Sequence, residues 1–305
     1  MIKFPPFLRP SDLTGIVPPA SRISNKIIEQ AKALIQSWGL EVLLSTNWDK
    51  THYNFSGTDN ERRQALQDLL DNEEVRCIFC ARGGYGTSRI IDQLDLSKFS
   101  VSPKWIIGYS DITVLLNKLI VHQYGGIHGP MPINFHEDNS EESIQILKNF
   151  LFSGTYPEIS CFKNRYNREG YASGEIVGGN LTMLANSIGT STQLNTDGKI
   201  LFLEDIDERM YRIDRMIVHL KRAGTFDKLK GLIIGHFTKI TEKEDFGYSL
   251  EDLILSHTLN FNFPVCFGAP IGHVMPNYPV IVGREIELAV EKDTAKIALK
   301  KYPGD

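Results

Sequence analysis

Strand-like and helix-like segments alternate through the first half of the chain, and this alternation limits the folds open to it. Short apolar runs read TGIVPPA, LEVLLS, VRCIFC and KWII, and segments with helical periodicity separate them. The helix-like segment TDNERRQALQDLLDN opens with Thr58 and Glu61 at the spacing of a capping box. Strands that alternate with helices in this way form parallel sheets covered by helices. We therefore predict an N-terminal α/β domain with a doubly wound parallel sheet.

The pattern changes near the middle of the chain, where loop-like and polar stretches interrupt it. Beyond them, GEIVGGN, KILFLED, LKGLIIGHF and VCFGAPIGH have strand character, with three helix-like segments between them. The segment EIELAVEKDTAKIALKK alternates apolar and polar residues on both sides of a turn, which predicts a hairpin. We predict an N-terminal domain at 1–155, a connector at 156–172 and a second, mixed α+β domain at 173–305.

Composition excludes several classes of protein. The chain has 305 residues, of which 42% are hydrophobic and 23% charged, as in ordinary two-domain globular proteins. The net charge is −4, and no basic stripe is present, so we expect no nucleic-acid partner. No run approaches the about 18 apolar residues of a membrane-spanning helix, so we expect no membrane partner either.

The cysteines and the first residues indicate a cytoplasmic protein. The start MIKFPPFLRPSDLTG lacks the apolar run of a secretory signal. Cys77 and Cys80 form a C-x-x-C within an apparent buried strand, where positions three apart point to opposite faces. Cys161 and Cys266 stand alone, so no zinc site is completed. We predict reduced core cysteines rather than disulfides or metal ligands.

A glycine-rich turn follows the strand VRCIFC. In open α/β sheets, ligands bind beyond the carboxyl ends of the strands, and Arg82-Gly83-Gly84-Tyr85-Gly86 occupies such a place. The turn lacks the spacing of a dinucleotide fingerprint or a P-loop, which disfavours a phosphate cradle. An N–H group that binds the oxyanion of an acyl-transfer reaction fits better. A purely structural tight turn is the alternative.

A second turn, Gly108-Tyr109-Ser110-Asp111, follows the strand KWII. Ser110 could be a nucleophile raised on a sharp strand-to-helix turn, as in the G-x-S-x-G elbow. The fifth position is Ile112, however, so the elbow pattern is incomplete. Alternatively, Ser110 or Asp111 could simply cap the following helix. The local sequence leaves both interpretations open.

A serine nucleophile needs a base and an acid that orients the base. Three histidines follow apolar runs beside glycines and are the better candidates for the base: His128, His236 and His273. Glu204 and Asp205 end the apolar strand KILFLED, where a carboxylate reaches the sheet edge. The alternative is that acidic residues there favour the N-terminus of the next helix. The order Ser110, Glu204, His273 matches that of α/β-sheet hydrolases.

Four segments taken together resemble one family. ARGGYG, GYSDITVLL, LFLEDIDERMYRIDRM and GAPIGH, in this order, resemble the LD-carboxypeptidases, also called muramoyltetrapeptide carboxypeptidases. TGIVPPAS, SGTDNERRQALQDLLDN and GGNLTMLANSIGT extend the resemblance over nearly the whole chain. The resemblance implies a serine peptidase with a Ser-Glu-His triad that removes the terminal D-alanine from murein tetrapeptides in the bacterial cytoplasm.

The resemblance also implies roles for particular residues. The implied triad is Ser110, Glu204 and His273, set in a cleft between two domains of a homodimer. The hypothesis that follows from it uses no metal or cofactor and assigns two further groups: oxyanion-hole residues Asp111 and Gly84, and substrate-binding residues Arg82, Gly83 and Tyr85. Arg82 is the candidate for binding the free terminal carboxylate of the peptide substrate, and a structural ion pair is the alternative for this residue.

Other functions stay open at this point. A relative that hydrolyses peptidyl-nucleotides, as the microcin C self-immunity peptidases do, would use the same triad. A noncatalytic small-molecule binding protein and a hydrolase of other esters or amides are further alternatives. The stretch HVMPNYPVIVG after His273 departs from the family pattern, with Val274 in a usually small position, which leaves the exact substrate open. The sequence does not choose between lysine and diaminopimelate at the third peptide position.

Overall fold

A computed structural model of the chain describes residues 1–161, 164–241, 246–292 and 294–300. The chain folds into two compact units. The first unit holds Met1–Thr155 and a later segment, Met275–Ile281. The second holds Tyr156–Val274 and the chain from Val282 onward. The return of Met275–Ile281 to the first unit is not among the features that the sequence predicts.

Thirteen strands and eight α-helices lie within the described residues. In chain order the strands are β1 (Leu13–Val17), β2 (Glu41–Leu44), β3 (Val75–Cys80), β4 (Trp105–Ile107), β5 (Gly126–His128), β6 (Ile159–Cys161), β7 (Gly170–Asn180), β8 (Ile200–Ile206), β9 (Gly231–Thr238), β10 (Val265–Gly272), β11 (Val280–Val282), β12 (Glu285–Val290) and β13 (Ala295–Leu299). The helices are α1 (Asn25–Ser37), α2 (Asp59–Asp71), α3 (Ser97–Val101), α4 (Thr113–Val121), α5 (Glu141–Ser153), α6 (Leu181–Ser187), α7 (Met210–Arg222) and α8 (Leu250–Thr258).

The first unit is built on a six-stranded sheet with the order β11-β5-β4-β3-β1-β2. The pairs β1–β2, β1–β3, β3–β4 and β4–β5 are all parallel. Its core consists of apolar side chains such as Ile16, Phe79 and Ile107, which are fully buried. The predicted parallel-sheet domain is confirmed.

Local sequence explains the helix starts in this unit. The hydroxyl of Ser24 accepts a hydrogen bond from the N–H of Ile27 and caps α1. Thr58 and Glu61 form the predicted capping box at the start of α2. The stretch TSRIIDQLD, which the alternation of strands and helices predicts to be a short helix, instead forms two short 3₁₀ turns at Thr87–Arg89 and Ile91–Gln93. The sequence does not predict the three-residue strands β5 and β11, because neither has the strand–turn–helix pattern that marks the equally short β4.

The second unit is built on a seven-stranded mixed sheet with the order β10-β9-β8-β7-β12-β13-β6. Strands β7 to β10 pair in parallel, and the remaining pairs are antiparallel. This confirms the predicted mixed domain and its hairpin, although Asp293 in the hairpin turn lies outside the described residues. The stretch 156–172, predicted as a connector, supplies β6 and the start of β7; residues 162 and 163 in it also lie outside the described residues.

The cysteines are buried and unbridged. Cys77 and Cys80 lie fully buried in β3, and burial raises the pKa of both thiols. Cys161 and Cys266, which stand far apart in the sequence, lie close together in the second unit, where the neighbouring Cys161 thiol and burial raise the pKa of Cys266. The expectation that these two stand alone is therefore wrong. Within the described part of the chain, no helix is both long and apolar enough to cross a membrane.

Candidate active site

Ser110 occupies a strained turn at the carboxyl end of β4. Its φ is +62°, a left-handed conformation that costs a non-glycine residue about 1 to 3 kcal/mol and is concentrated at functional sites. Residues 110–112 form a 3₁₀ turn, and α4 begins only at Thr113, with Ile112 as its N-cap. Neither Ser110 nor Asp111 caps α4, so the capping alternative for these residues is wrong.

The glycine turn after β3 packs against Ser110. A Cβ atom on Gly83 would lie 3.2 Å from both the Cβ of Ser110 and the backbone nitrogen of Asp111. Gly84 has a φ of +92°, and a Cβ atom there would lie 2.3 Å from the hydroxyl oxygen of Ser21. The Gly84 position therefore favours glycine through both its positive φ and its close approach to Ser21, whereas a side chain at Gly83 would require its neighbours in the Ser110 turn to shift slightly.

Asp111 ties these two turns together with its side chain. Its carboxylate accepts a 2.8 Å hydrogen bond from the N–H of Thr87 and is 2% exposed. Burial raises the pKa of this carboxyl group, and the hydrogen bonds from Thr87 oppose that effect. Within the described residues, no group accepts a hydrogen bond from the backbone N–H of Asp111 or from that of Gly84. Both groups are thus available to a ligand.

Glu204 and His273 form a buried pair in the second unit. The Nδ1 atom of His273 lies 2.7 Å from Oε2 of Glu204, whose side chain is fully buried. Glu204 comes from the end of β8, and His273 directly follows β10. Gly272 has a φ of +107°, and a Cβ atom there would lie 2.6 Å from the Cβ of Glu204. Glycine before His273 is what lets the two side chains meet.

Asp205, next to Glu204, has a different function. Its carboxylate accepts hydrogen bonds from the side chain of Asn180 at 2.8 Å and from both the N–H and the hydroxyl of Thr182 at 2.9 Å. It therefore anchors the start of α6 to β8. Burial, reinforced by the charge of Glu204, raises the pKa of Asp205 to about 6. The expectation that this carboxylate favours the following helix is wrong, since α7 has no acidic residue in its first turn.

The other candidate histidines are placed differently. His128 is fully buried, and its ring meets the ring of Tyr109 edge-on with centroids 5.7 Å apart. His236 lies half-buried on β9, where burial lowers its pKa. Of the three candidates, His273 is the one that pairs with a carboxylate among the described residues, and that carboxylate can orient its ring.

A pocket of about 450 Å³ borders the glycine turn in the first unit. Arg82, Gly84 and Tyr85 line it, as do residues of two other loops, at 21–22 and 53–55. No role was predicted for those two loops. The sequence TGIVPPAS could have indicated the loop at 21–22 as part of the site, because a loop that follows a strand of a parallel sheet lies at the ligand-binding edge. A larger groove of about 620 Å³ along α7 contains none of the predicted site residues.

Comparisons with known proteins cover nearly the whole chain. The family models for the N-terminal and C-terminal domains of LD-carboxypeptidases match residues 14–129 and 173–288. A probable murein peptide carboxypeptidase of Bacillus subtilis is 32% identical over 96% of this chain and 93% of its own. The crystal structure of a muramoyltetrapeptide carboxypeptidase from Oxalobacter formigenes is 30% identical, with a TM-score of 0.85 over 95% of this chain and 99% of that one.

One further structure shares the fold at lower identity. The microcin C7 self-immunity protein, in complex with aspartyl sulfamoyl adenosine, is 20% identical. Its TM-score is 0.85, over 98% of this chain and 99% of that one. At this identity the likeness concerns the fold alone.

Proposed function

The chain belongs to the LD-carboxypeptidase family, and from this membership we propose that it is a serine carboxypeptidase that removes the C-terminal D-alanine from murein tetrapeptides during cell-wall recycling. The observation that carries the proposal is the buried hydrogen bond of 2.7 Å between His273 and Glu204. A carboxylate that holds an imidazole by Nδ1 leaves Nε2 to act as a base, which is the requirement of serine hydrolysis.

In the proposed reaction, Nε2 of His273 takes the proton of Ser110 as Oγ attacks the carbonyl carbon of the third residue. Glu204 fixes the tautomer of His273 and stabilises its charged form. When the tetrahedral intermediate collapses, His273 gives the proton to the nitrogen of D-alanine, which leaves as the free amino acid. Water, deprotonated by His273, then hydrolyses the acyl-enzyme and regenerates Ser110.

Backbone groups of the two turns in the first unit stabilise the oxyanion in this proposal. The N–H groups of Asp111 and Gly84, which lack acceptors among the described residues, are the donors. One such donor contributes about 10² to 10³ in rate, and the general base about 10² to 10⁴. The strained φ of Ser110 supports its role, because strain of this kind presents a nucleophile above the sheet.

The substrate-binding residues in the proposal are Arg82, Gly83 and Tyr85. One guanidinium nitrogen of Arg82 donates a 2.9 Å hydrogen bond to the carbonyl of Arg22, which holds the side chain against the pocket. Arg82 has no ion-pair partner within the described residues, in line with a role in binding the terminal carboxylate of the substrate.

Mass spectrometry of a murein tetrapeptide tests the proposal. We expect the wild-type protein, in the presence of EDTA, to release one D-alanine, and the Ser110→Ala variant to release none. Cleavage by both proteins would mean that another serine is the nucleophile. If neither cleaves the tetrapeptide, a peptidyl-adenylate and a fluorophosphonate probe separate two remaining cases: a triad that acts on another substrate, and a noncatalytic binding protein.

We also propose that the protein acts in the cytoplasm as a homodimer. The family resemblance supports both points, and four unbridged cysteines fit a reducing compartment. Light scattering of the purified protein measures its mass in solution, and a monomer mass would refute the dimer.

A further inference from the structure

A fully buried arginine lies at the start of α2, beside the glycine turn. Arg62 has no exposed surface, and its guanidinium group lies over the ring of Phe55, 4.8 Å from the ring centroid. Complete burial of an arginine is rare, because the charge leaves water and needs partners inside the protein. Arg62 is not among the proposed triad, oxyanion-hole or substrate-binding residues. This buried charge therefore needs a role that the proposed reaction does not give it.

The guanidinium group of Arg62 connects α2 to two loops of the first unit. Its Nη1 atom donates hydrogen bonds to the carbonyl oxygen of Pro19, at 2.6 Å, and to that of Gly86, at 2.9 Å. Its Nη2 atom donates to the carboxylate of Asp59. Pro19 lies in the loop after β1, and Gly86 ends the glycine turn after β3. Arg62 therefore holds both loops at fixed positions relative to α2.

The peptide group between Gly86 and Thr87 is bound at both ends. Its carbonyl oxygen accepts the hydrogen bond from Arg62, and its N–H donates a 2.8 Å hydrogen bond to the carboxylate of Asp111. The two groups of a trans peptide point in opposite directions, so one planar amide lies between a buried cation and a buried carboxylate. Hydrogen bonds to ionised groups are about twice as strong as neutral ones, and bonds in series polarise one another. This peptide is therefore fixed more firmly than one in an ordinary turn.

The charges on the two sides of this peptide stabilise each other. Burial lowers the pKa of Arg62, and the negative charges of Asp59 and Asp111 oppose that effect. Asp59 is fixed in turn by Arg89, whose Nε and Nη2 atoms donate to its carboxylate at 2.7 to 3.0 Å. Arg89 lies in the 3₁₀ turn that begins at Thr87. The start of α2 is therefore joined both to the glycine turn and to the chain that follows it.

Glycine at position 86 allows the guanidinium group to approach the turn. Gly86 has a φ of +135°, and a Cβ atom there would lie 2.9 Å from Nη1 of Arg62 and 3.0 Å from the ring of Phe55. A side chain at this position would push the guanidinium group away from the carbonyl oxygen. The last glycine of the turn is thus explained by its contact with Arg62.

We propose that Arg62 is a positioning residue for the oxyanion hole of the proposed reaction, on which this inference rests. By binding the Gly86–Thr87 peptide opposite Asp111, it fixes the glycine turn against the turn that carries Ser110. The N–H groups of Gly84 and Asp111 are then in place before charge develops on the attacked carbonyl oxygen, as an oxyanion hole requires. Arg62 acts through this peptide and does not touch the substrate.

Arg62→Met tests the proposal, because it removes the charge and the donors but keeps a long side chain. We expect kcat for the murein tetrapeptide to fall by about 10- to 100-fold. KM should stay within about threefold of the wild-type value, because the oxyanion exists in the transition state and not in the bound substrate. A rise in KM with unchanged kcat would overturn the proposal, since Arg62 would then act on substrate binding.

Lys104→Met is the matched control for the loss of a buried cation. Lys104 is also fully buried, and its Nζ atom donates to the main-chain carbonyls of Leu70 and Asn72 at the other end of α2. Both variants should lower the thermal midpoint, but Lys104→Met should change kcat by less than about threefold. Equal losses of kcat in the two variants would mean that Arg62 supports the fold alone.

Amide hydrogen exchange, followed by NMR, tests the positioning without any turnover. Measured against the amides of β3 in the same protein, the N–H of Thr87 should exchange about 10-fold faster or more in Arg62→Met than in Lys104→Met. If Thr87 exchanges equally in both variants, the positioning role is wrong whether or not the tetrapeptide is cleaved. If the exchange difference holds but the wild-type protein cleaves no tetrapeptide, Arg62 still fixes the glycine turn, and only the proposed reaction is wrong.

Arg62→Lys provides a second variant in case Arg62→Met does not fold. Lysine keeps the buried charge but replaces the planar fork of donors with one ammonium group, which cannot bind the Gly86 carbonyl and Asp59 in the same geometry. We expect kcat to fall by about 5-fold or more and the N–H of Thr87 to exchange faster than in the wild type. Wild-type values of both quantities would overturn the proposal.

Discussion

At the scale of single residues, the candidate site depends on backbone conformations that only a few residue types tolerate. Ser110 has a φ of +62°, Gly84 of +92° and Gly272 of +107°. These residues are at the two turns of the first unit and beside the Glu204–His273 pair. Each of these conformations lets neighbouring parts of the chain pack more closely than an ordinary backbone would allow. The close packing positions the residues that the proposed reaction uses.

Gly272→Ala should abolish most activity by separating Glu204 from His273. An added Cβ would lie 2.6 Å from the Cβ of Glu204 and 2.7 Å from its Oε2 atom. We expect kcat for the tetrapeptide to fall by about 100-fold or more, the range of a lost general base.

Gly268→Ala is the matched control for this change. Gly268 lies on the same strand, β10, with a φ of +77°, and a Cβ atom there has nothing within 4 Å. Both variants carry backbone strain of about 1 to 2 kcal/mol, so both should lower the thermal midpoint. Gly268→Ala should change kcat by less than about threefold. Equal losses of kcat would mean that strain, not the contact with Glu204, is responsible.

The sequence could propose these residues but not their conformations. Ser110 was a candidate because it follows an apolar strand, yet Ile112 breaks the elbow pattern, and no local signal predicts a left-handed serine. Glu204 and Asp205 end the same strand and could not be told apart. Successive strand residues point to opposite faces, so one reaches His273 and the other reaches α6. Which face holds which partner depends on tertiary contacts.

At the scale of elements, Asp205 links β8 to α6 and should make stability depend on pH. Its pKa in the folded protein is about 6, against 3.8 as the reference value. Between these two values the folded protein binds more protons than the unfolded chain, so the free energy of unfolding decreases as pH rises. The full difference is about 3 kcal/mol.

Thermal unfolding of Asp205→Asn at pH 4.5 and pH 7 measures this contribution. We expect the difference in unfolding midpoint between the wild type and the variant to be larger at pH 4.5 than at pH 7 by roughly 3 to 6 °C, because about 2 kcal/mol of the contribution is lost between these pH values. Asp207→Asn, at an exposed neighbouring position, is the control and should show no such change between the two pH values. A constant difference for Asp205→Asn would contradict the raised pKa.

Elements with a clear period were predictable, and short ones were not. The capping box of α2, the strands β1 to β4 and the β12–β13 hairpin follow from local pattern. Strands β5, β6 and β11 have three residues each and lack the strand–turn–helix pattern that made the equally short β4 recognisable. These short segments become strands because their backbones hydrogen-bond to the free edges of neighbouring strands, not because of a pattern in their own sequence.

At the scale of the whole molecule, the chain passes between its two units three times, after 155, 274 and 281. Ser110 belongs to the first unit, and the Glu204–His273 pair belongs to the second. The family models match one domain each, and the Bacillus subtilis relative matches across nearly the full length. The proposed reaction therefore needs both units, although each has its own sheet and core.

The segment Met275–Ile281 makes the first unit discontinuous, which predicts that residues 1–155 alone form an incomplete domain. Without β11, the edge of β5 loses its partner strand, and an unpaired edge favours aggregation. The buried side chains of Val280 and Ile281 are lost as well, and burial of each contributes about 1.5 to 3 kcal/mol.

Joining residues 275–282 to the fragment 1–155 through a flexible linker should restore this stability. We expect the joined protein to unfold at a higher urea concentration, with a free energy of unfolding about 3 kcal/mol or more above that of 1–155. The same extension with Val280→Asp is the control and should give little gain, because a buried carboxylate has no partner there. If the fragment unfolds at the same urea midpoint with and without the native extension, β11 adds to the sheet of the first unit but does not stabilise it.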